Sequence, residues 1–159
     1  MRVKRALAVV LPIALLALDR LAKWYAFAAL PPGRGAVLVS GLSYEYFYNP
    51  GLAFSLFSPI VATIASALAF MSLAAFALRH RLAGKPLRTR DLCSFMLIAA
   101  GGASNVYDRI IGGGVTDYII FARSAWNIAD IMILAGIALM IFERNPKGGI
   151  SADRKINKT

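Results

Sequence analysis

Four long apolar runs, separated by short clusters of basic residues, constrain this chain more than any other feature. A bilayer's hydrocarbon core of about 30 Å takes about 20 apolar residues in helical form, and four stretches of the 159-residue chain approach that length. They are residues 6–30, interrupted by Asp19, Arg20 and Lys23; residues 59–78, free of charge; residues 92–111, with Asp108 and Arg109 near the end; and residues 125–142, with Asp130 near the start. Composition points the same way. The chain is 58% hydrophobic and 16% charged, against about 45–50% and about 25% for a soluble domain. The expected fold is an all-α membrane protein: one domain over residues 1–159 with four transmembrane helices.

The distribution of charge sets the expected orientation. Eighteen Lys and Arg against eight Asp and Glu give a net charge of +10, which in a soluble chain would suggest nucleic acid. Thirteen of those basic residues, however, lie in three segments: residues 2–5, 79–90 and 144–158. The other two loops, 31–58 and 112–124, hold only Arg34 and Arg123. By the positive-inside rule both termini are cytoplasmic, residues 144–159 form a basic cytoplasmic tail, and no nucleic-acid partner is implied. The first run imitates a cleaved signal peptide, but charges at 19–23 interrupt it before the Ala26-Phe27-Ala28 triplet, so it is expected to stay as a span.

In the 31–58 loop, Pro31-Pro32-Gly33 stops the first helix. Leu42, Tyr44, Tyr46 and Tyr48 then alternate with Ser43, Glu45 and Phe47, the period-2 pattern of a strand. A small extracytoplasmic β element with a tyrosine-rich side is expected there, at the depth where such rings favour the interface.

Ionisable groups at membrane depth are costly and are functional candidates by default. At about 1.5 Å per residue, Asp19 lies about 20 Å from Ala6 along the helix, level with Asp108, Asp117 and Asp130 near the outer surface. Asp19 and Lys23 share a helix face and are expected to form a structural ion pair. Asp108 and Arg109 point different ways, and the Arg109 fork suits a second carboxylate or a backbone carbonyl. Asp117 and Asp130 have no basic residue at helical spacing. Because Gly112-Gly113-Gly114 breaks the third helix, the chain can fold back and let the two meet. Two close carboxylates in a low-dielectric site share a proton, giving an acid and a base for one water; a polar helix–helix contact is the alternative. His80, the only histidine, falls in a basic loop, and Cys93 is the only cysteine. A Ser-His or Cys-His nucleophile, a zinc site and a disulfide scaffold are therefore set aside.

Five ordered blocks resemble the bacterial lipoprotein signal peptidases, the signal peptidase II family of intramembrane aspartic proteases. They are Asp19-Arg-Leu-Ala-Lys23, Tyr48-Asn-Pro-Gly-Leu-Ala-Phe54, Gly101-Gly-Ala-Ser-Asn-Val-Tyr-Asp-Arg109, Gly114-Val-Thr-Asp-Tyr118 and Trp126-Asn-Ile-Ala-Asp130. The resemblance implies an endopeptidase of the bacterial inner membrane whose active site faces the periplasm. It would cut prolipoproteins before a diacylglyceryl-modified cysteine, with a lipidated signal peptide and membrane phospholipid as partners, as a monomer, and with no metal or organic cofactor. It places the catalytic pair on Asp117 and Asp130. Asn49, Gly51, Asn105, Asp108, Arg109 and Asn127 would line or brace the site, and Asp19 and Lys23 would brace the fold. Asn side chains suit such positions because they donate and accept at once, while Gly51 suits either close backbone approach or a plain turn after Pro50.

The chain departs from the family's usual residues at Ser104, Thr116 and Trp126, and its Asp117–Asp130 connection is shorter than in familiar members. Two other readings of the acids compete. One is a metal-dependent lipid phosphotransferase with Asp108, Asp117 and Asp130 as ligands, and the other is a non-enzymatic transporter or assembly factor.

Overall fold

A computed structural model describes residues 2–30, 35–51, 82–84, 87–122 and 124–141, together with residues 61 and 64. Three long helices are seen in this set: α1 (Arg2–Ala29), α2 (Thr89–Gly112) and α3 (Ile128–Ile141). Four strands accompany them: β1 (Ala36–Val39), β2 (Leu42–Asn49), β3 (Val115–Phe121) and β4 (Ser124–Trp126). The strands form one antiparallel sheet in the order β1-β2-β3-β4.

The all-α, four-span expectation is therefore corrected on two grounds. First, the segment taken as a loop is mostly sheet. The Val-Thr-Asp-Tyr-Ile-Ile-Phe run of β3 is rich in β-branched and aromatic residues, and it pairs with β2 on one side and β4 on the other. Ala125 and Trp126, expected to begin a helix, lie in β4. Second, no helix among the described residues is long and apolar enough to cross a membrane. The 14 residues of α3 extend only about 21 Å, and α1 carries Asp19, Arg20 and Lys23 inside its apolar run. The expected span at 59–78 and the tail at 144–159 fall outside the described residues.

The expected strand at Leu42–Tyr48 matches β2. Pairing between β2 and β3 shifts between Tyr44 and Phe47, and the resulting bulge sets Phe47 opposite Asp117 and Asn49 opposite Val115. The glycine triplet ends α2 as expected. Gly113 takes a left-handed conformation (φ 73°) and returns its N–H to the Arg109 carbonyl at 3.0 Å, a glycine C-cap. Gly114 abuts the Tyr48 ring, where a Cβ would lie 2.6 Å from Cζ, and the Tyr48 hydroxyl donates to the Gly112 carbonyl at 2.9 Å.

Polarity in α1 is reversed relative to a soluble helix. It buries Asp19 and Lys23 (0% and 2% exposed) and exposes Val10, Leu21 and Phe27 (59%, 64% and 69%). Such an apolar exterior suits a non-aqueous surrounding. At one end of the helices Arg5 donates to the Leu87 carbonyl at 2.9 Å and Arg90 to the Leu139 carbonyl at 2.8 Å. At the other end α1, α2 and the start of α3 meet around Asp19. Thus α1 and α2 run parallel, α3 runs back, and a basic end lies opposite an acidic one.

The core joins Leu97 and Ala100 of α2 to Met132 of α3. Glycines bring these two helices close: Gly101 abuts the Ala129 carbonyl, and a Cβ on Gly136 would lie 2.8 Å from the Ser94 carbonyl oxygen. Small residues permit such approach where helices pack without help from water. Replacing Gly136 by Val should cost about 1–3 kcal/mol by overpacking, read as a lowered unfolding midpoint of the detergent-solubilised protein; an unchanged midpoint would contradict the close α2–α3 contact.

Candidate active site

Asp117 and Asp130 reach the site from different elements. Asp117 sits mid-way along β3 and is 1% exposed. Asp130 lies in the first turn of α3. Between them is Asn127, the residue preceding the helix and fully buried. Its Oδ1 accepts from the Asp130 N–H at 2.9 Å, while the Asn127 N–H donates to Asp130 Oδ2 at 3.3 Å, the reciprocal pattern of a capping box. Its Nδ2 donates to Asp117 Oδ1 at 2.6 Å. Asn127 therefore meets both carboxylates, that of Asp117 through its side-chain amide and that of Asp130 through its backbone N–H.

Two further asparagines act by the same logic. Asn49, at the end of β2, donates from Nδ2 to Asp117 Oδ2 at 3.1 Å, and its Oδ1 accepts from the Gly51 N–H at 3.1 Å. Asn105, on α2, donates to Asp130 Oδ1 at 2.8 Å, and its Oδ1 accepts from the Lys23 ammonium at 2.8 Å. In all three the amide oxygen meets a group that can only donate, either a backbone N–H or an ammonium. The NH₂ must then face the carboxylate, so the amide's orientation follows from its partners.

Burial pushes the Asp117 carboxyl up to about 6, and the neighbouring charge of Asp130 adds to the rise; the Asn49 and Asn127 donors and the Lys23 charge oppose it. Arg109 completes the rim, donating to the carbonyls of Gly51 at 3.2 Å and Asn105 at 3.4 Å, and the charges of Asp130, Asp117 and Asp108 act on it. It thereby ties the turn after β2 to α2.

Beneath the pair lies a cluster of buried charge. Lys23 bridges Asp19 at 3.1 Å and Asp108 at 2.8 Å, and Arg20 pairs with Asp108 from the other side. Asp19 also accepts from the Ser104 hydroxyl at 2.6 Å, the Tyr118 hydroxyl at 2.9 Å and the Ala129 N–H at 3.2 Å. Asp108 accepts from the Thr116 N–H at 3.4 Å. Two acids balance two bases, and the cluster links α1 to α2, β3 and α3.

All ten residues singled out from the sequence thus gather in one region. Arg20, Ser104 and Tyr118 were missed as site residues. All three fall inside the blocks that carry the resemblance without a role attached to them, and the role of Tyr118 becomes visible only with 115–121 as a strand. Asp108 is engaged by Arg20 and Lys23, and no group of three acids, histidines or cysteines able to hold a metal ion occurs among the described residues. The ligand set of the phosphotransferase reading is therefore not assembled there.

Solved structures of two bacterial membrane enzymes share this fold. One aligns with a TM-score of 0.75 at 18% identity, over 97% of this chain and 94% of its own; the other aligns at 0.68 and 17%, over 89% and 94%. The sequence defines the class more closely. A family profile described as signal peptidase (SPase) II matches residues 11–144. The lipoprotein signal peptidase of Mesorhizobium japonicum is 33% identical over 138 residues, covering 84% of this chain and 82% of the relative. That of Hydrogenovibrio crunogenus is 32% identical over 140 residues, covering 82% and 80%. The protein is an aspartic-type peptidase, and it belongs to the signal peptidase II family.

Lys23→Met should destabilise the protein by about 3–5 kcal/mol, because among the described residues it leaves the buried Asp19 without a countercharge and Asp108 with Arg20 alone. Denaturant titration in detergent checks this, and a loss below about 1 kcal/mol would contradict a structural role for the cluster.

Proposed function

We propose that this chain removes signal peptides from prolipoproteins, cutting before the diacylglyceryl-modified cysteine, with Asp117 and Asp130 as a catalytic dyad acting on one water. The names of its relatives support the substrate class. The observation that carries the chemistry is Asn127, whose side-chain amide holds the Asp117 carboxylate and whose backbone N–H holds that of Asp130. The charge of Asp130 raises the Asp117 carboxyl, and two buried carboxylates that sense each other favour the state with one proton between them. The ionised carboxylate takes a proton from water as the water oxygen attacks the scissile carbonyl, and the protonated one donates to the carbonyl oxygen. The tetrahedral intermediate then collapses: the C–N bond breaks, the carboxyl that took the water proton gives it to the leaving nitrogen, and the other carboxylate takes a proton back from the diol hydroxyl as the carbonyl re-forms. Because the titration is joint, the starting proton belongs to the pair.

The residues around the dyad have assignable tasks. Asn49, Asn105 and Asn127 orient the carboxylates, and Arg109 with Gly51 shapes the turn where an extended peptide would enter. Asp19, Lys23 and Asp108 brace the elements beneath. A single domain supplies every one of these groups, which supports action as a monomer. The apolar exterior of α1 and the basic end opposite the dyad support a place in the bacterial inner membrane, with the site on the periplasmic side in contact with phospholipid. The lipid of the substrate would occupy the same leaflet.

Purified Asp117→Asn and Asp130→Asn proteins should each cleave lipidated precursor about 10²–10⁴-fold more slowly than the parent; parental rates in either would overturn the dyad. For the parent, kcat/KM should fall as pH rises through about 6, where the pair loses its last proton. Asn49→Ala should move that falling limb to higher pH, since Asn49 favours the ionised form of Asp117. A limb that stays in place would contradict this assignment.

A further inference from the structure

The start of α3 carries Asp130, and its free backbone donors are met from three different parts of the chain. A helix leaves its first N–H groups without intrahelical partners. Here the Ile128 N–H donates to the Tyr118 hydroxyl at 3.1 Å, the Ala129 N–H to Asp19 Oδ1 at 3.2 Å, and the Asp130 N–H to Asn127 Oδ1 at 2.9 Å. Only the last of these is a local cap. Tyr118 comes from β3 and Asp19 from α1, and they are joined to each other because the Tyr118 hydroxyl donates to Asp19 Oδ1 at 2.9 Å. The carboxylate of Asp19 also places negative charge at the positive end of the helix dipole.

Tyr118 is held at its ring as well as at its hydroxyl. It is 2% exposed, and its ring packs against Tyr44 at 5.5 Å between centroids. Tyr44 in turn donates to the Ala22 carbonyl of α1 at 2.9 Å. Burial and the charge of Asp19 push the Tyr118 hydroxyl far above its ordinary range, so it remains a protonated donor. Being next to Asp117 on the same strand, Tyr118 points to the opposite face of β3. The strand therefore presents one carboxylate to the site directly and fixes the start of the helix bearing the other.

We infer that Tyr118 is a positioning residue for the reaction: its hydroxyl, clamped between Asp19 and the first N–H of α3, sets the seat of Asp130 relative to Asp117. This rests on the reading of those two aspartates as the dyad. Tyr118 touches neither the substrate nor the reacting atoms, and it acts through the helix start. Removing the hydroxyl frees the Ile128 N–H and one bond to Asp19, while the ring packing and the remaining Asp19 partners, Ser104, Lys23 and Ala129, persist.

The test is Tyr118→Phe in the purified full chain, assayed on lipidated precursor well below its unfolding midpoint. Asp130→Asn and the α2–α3 packing variant Gly136→Ala are run beside it. The expected result is a fall in kcat of about tenfold with KM within about twofold of the parent, the signature of a misplaced catalytic group, while Gly136→Ala keeps its kcat despite a lowered midpoint. Parental kcat in Tyr118→Phe alongside an inactive Asp130→Asn would overturn the inference and leave the dyad standing. A change in KM alone, or equal losses of kcat in Tyr118→Phe and Gly136→Ala, would overturn it as well. Full activity in Asp130→Asn would remove the dyad and this inference together.

Discussion

Everything in the site is built on the buried ammonium of Lys23. It lies between Asp19 and Asp108, and the remaining charge on Asp108 is met by Arg20. Buried charges are tolerable only when paired and hydrogen-bonded, because the desolvation of each must be offset locally. That condition couples four elements at once: α1 supplies Asp19, Arg20 and Lys23, α2 supplies Asp108 and Ser104, β3 supplies Tyr118, and α3 supplies the Ala129 N–H. No single element could satisfy the set alone.

Lys23 also reaches the dyad. It donates to Asn105, and Asn105 donates to Asp130. The same construction recurs at Asn49 and Asn127, where a fixed donor on the amide oxygen compels the NH₂ toward a carboxylate. Amides serve this purpose better than charged groups would. They solvate the ionised state of each aspartate without supplying a full positive charge that would hold both permanently ionised. The Asp117 carboxyl consequently stays above its ordinary range despite two amide donors.

Much of the site was legible because its residues are costly. A carboxylate within an apolar run has few tolerable explanations, so Asp19, Asp108, Asp117 and Asp130 stood out, and the glycine triplet showed how the last two could approach one another. The alternation at 42–48 likewise matched β2. Less was legible where the pattern was ambiguous. Residues 115–121 lack strict alternation, and β3 is buried on both faces at Asp117 and Tyr118, so no period-2 signal could mark it. Residues 125–126 joined an apolar run to the helix beyond and concealed β4. The helices also proved poorer spans than their length in apolar residues suggested, because the charges of α1 sit inside its run and α3 starts only at Ile128. Tyr118 escaped notice because a tyrosine in an apolar segment is ordinarily core, and its task depends on which N–H groups a distant helix leaves free.

The central claim is that Asp117 and Asp130 behave as one unit. Its most direct test is a carboxyl-carbon NMR titration of the protein carrying ¹³C-labelled aspartate, in the parent and in Asp130→Asn. The account predicts an Asp117 midpoint near 6 in the parent and a lower one when the neighbouring charge is removed. An Asp117 midpoint that is the same in both proteins would show that the two carboxylates do not sense each other, and would contradict the account.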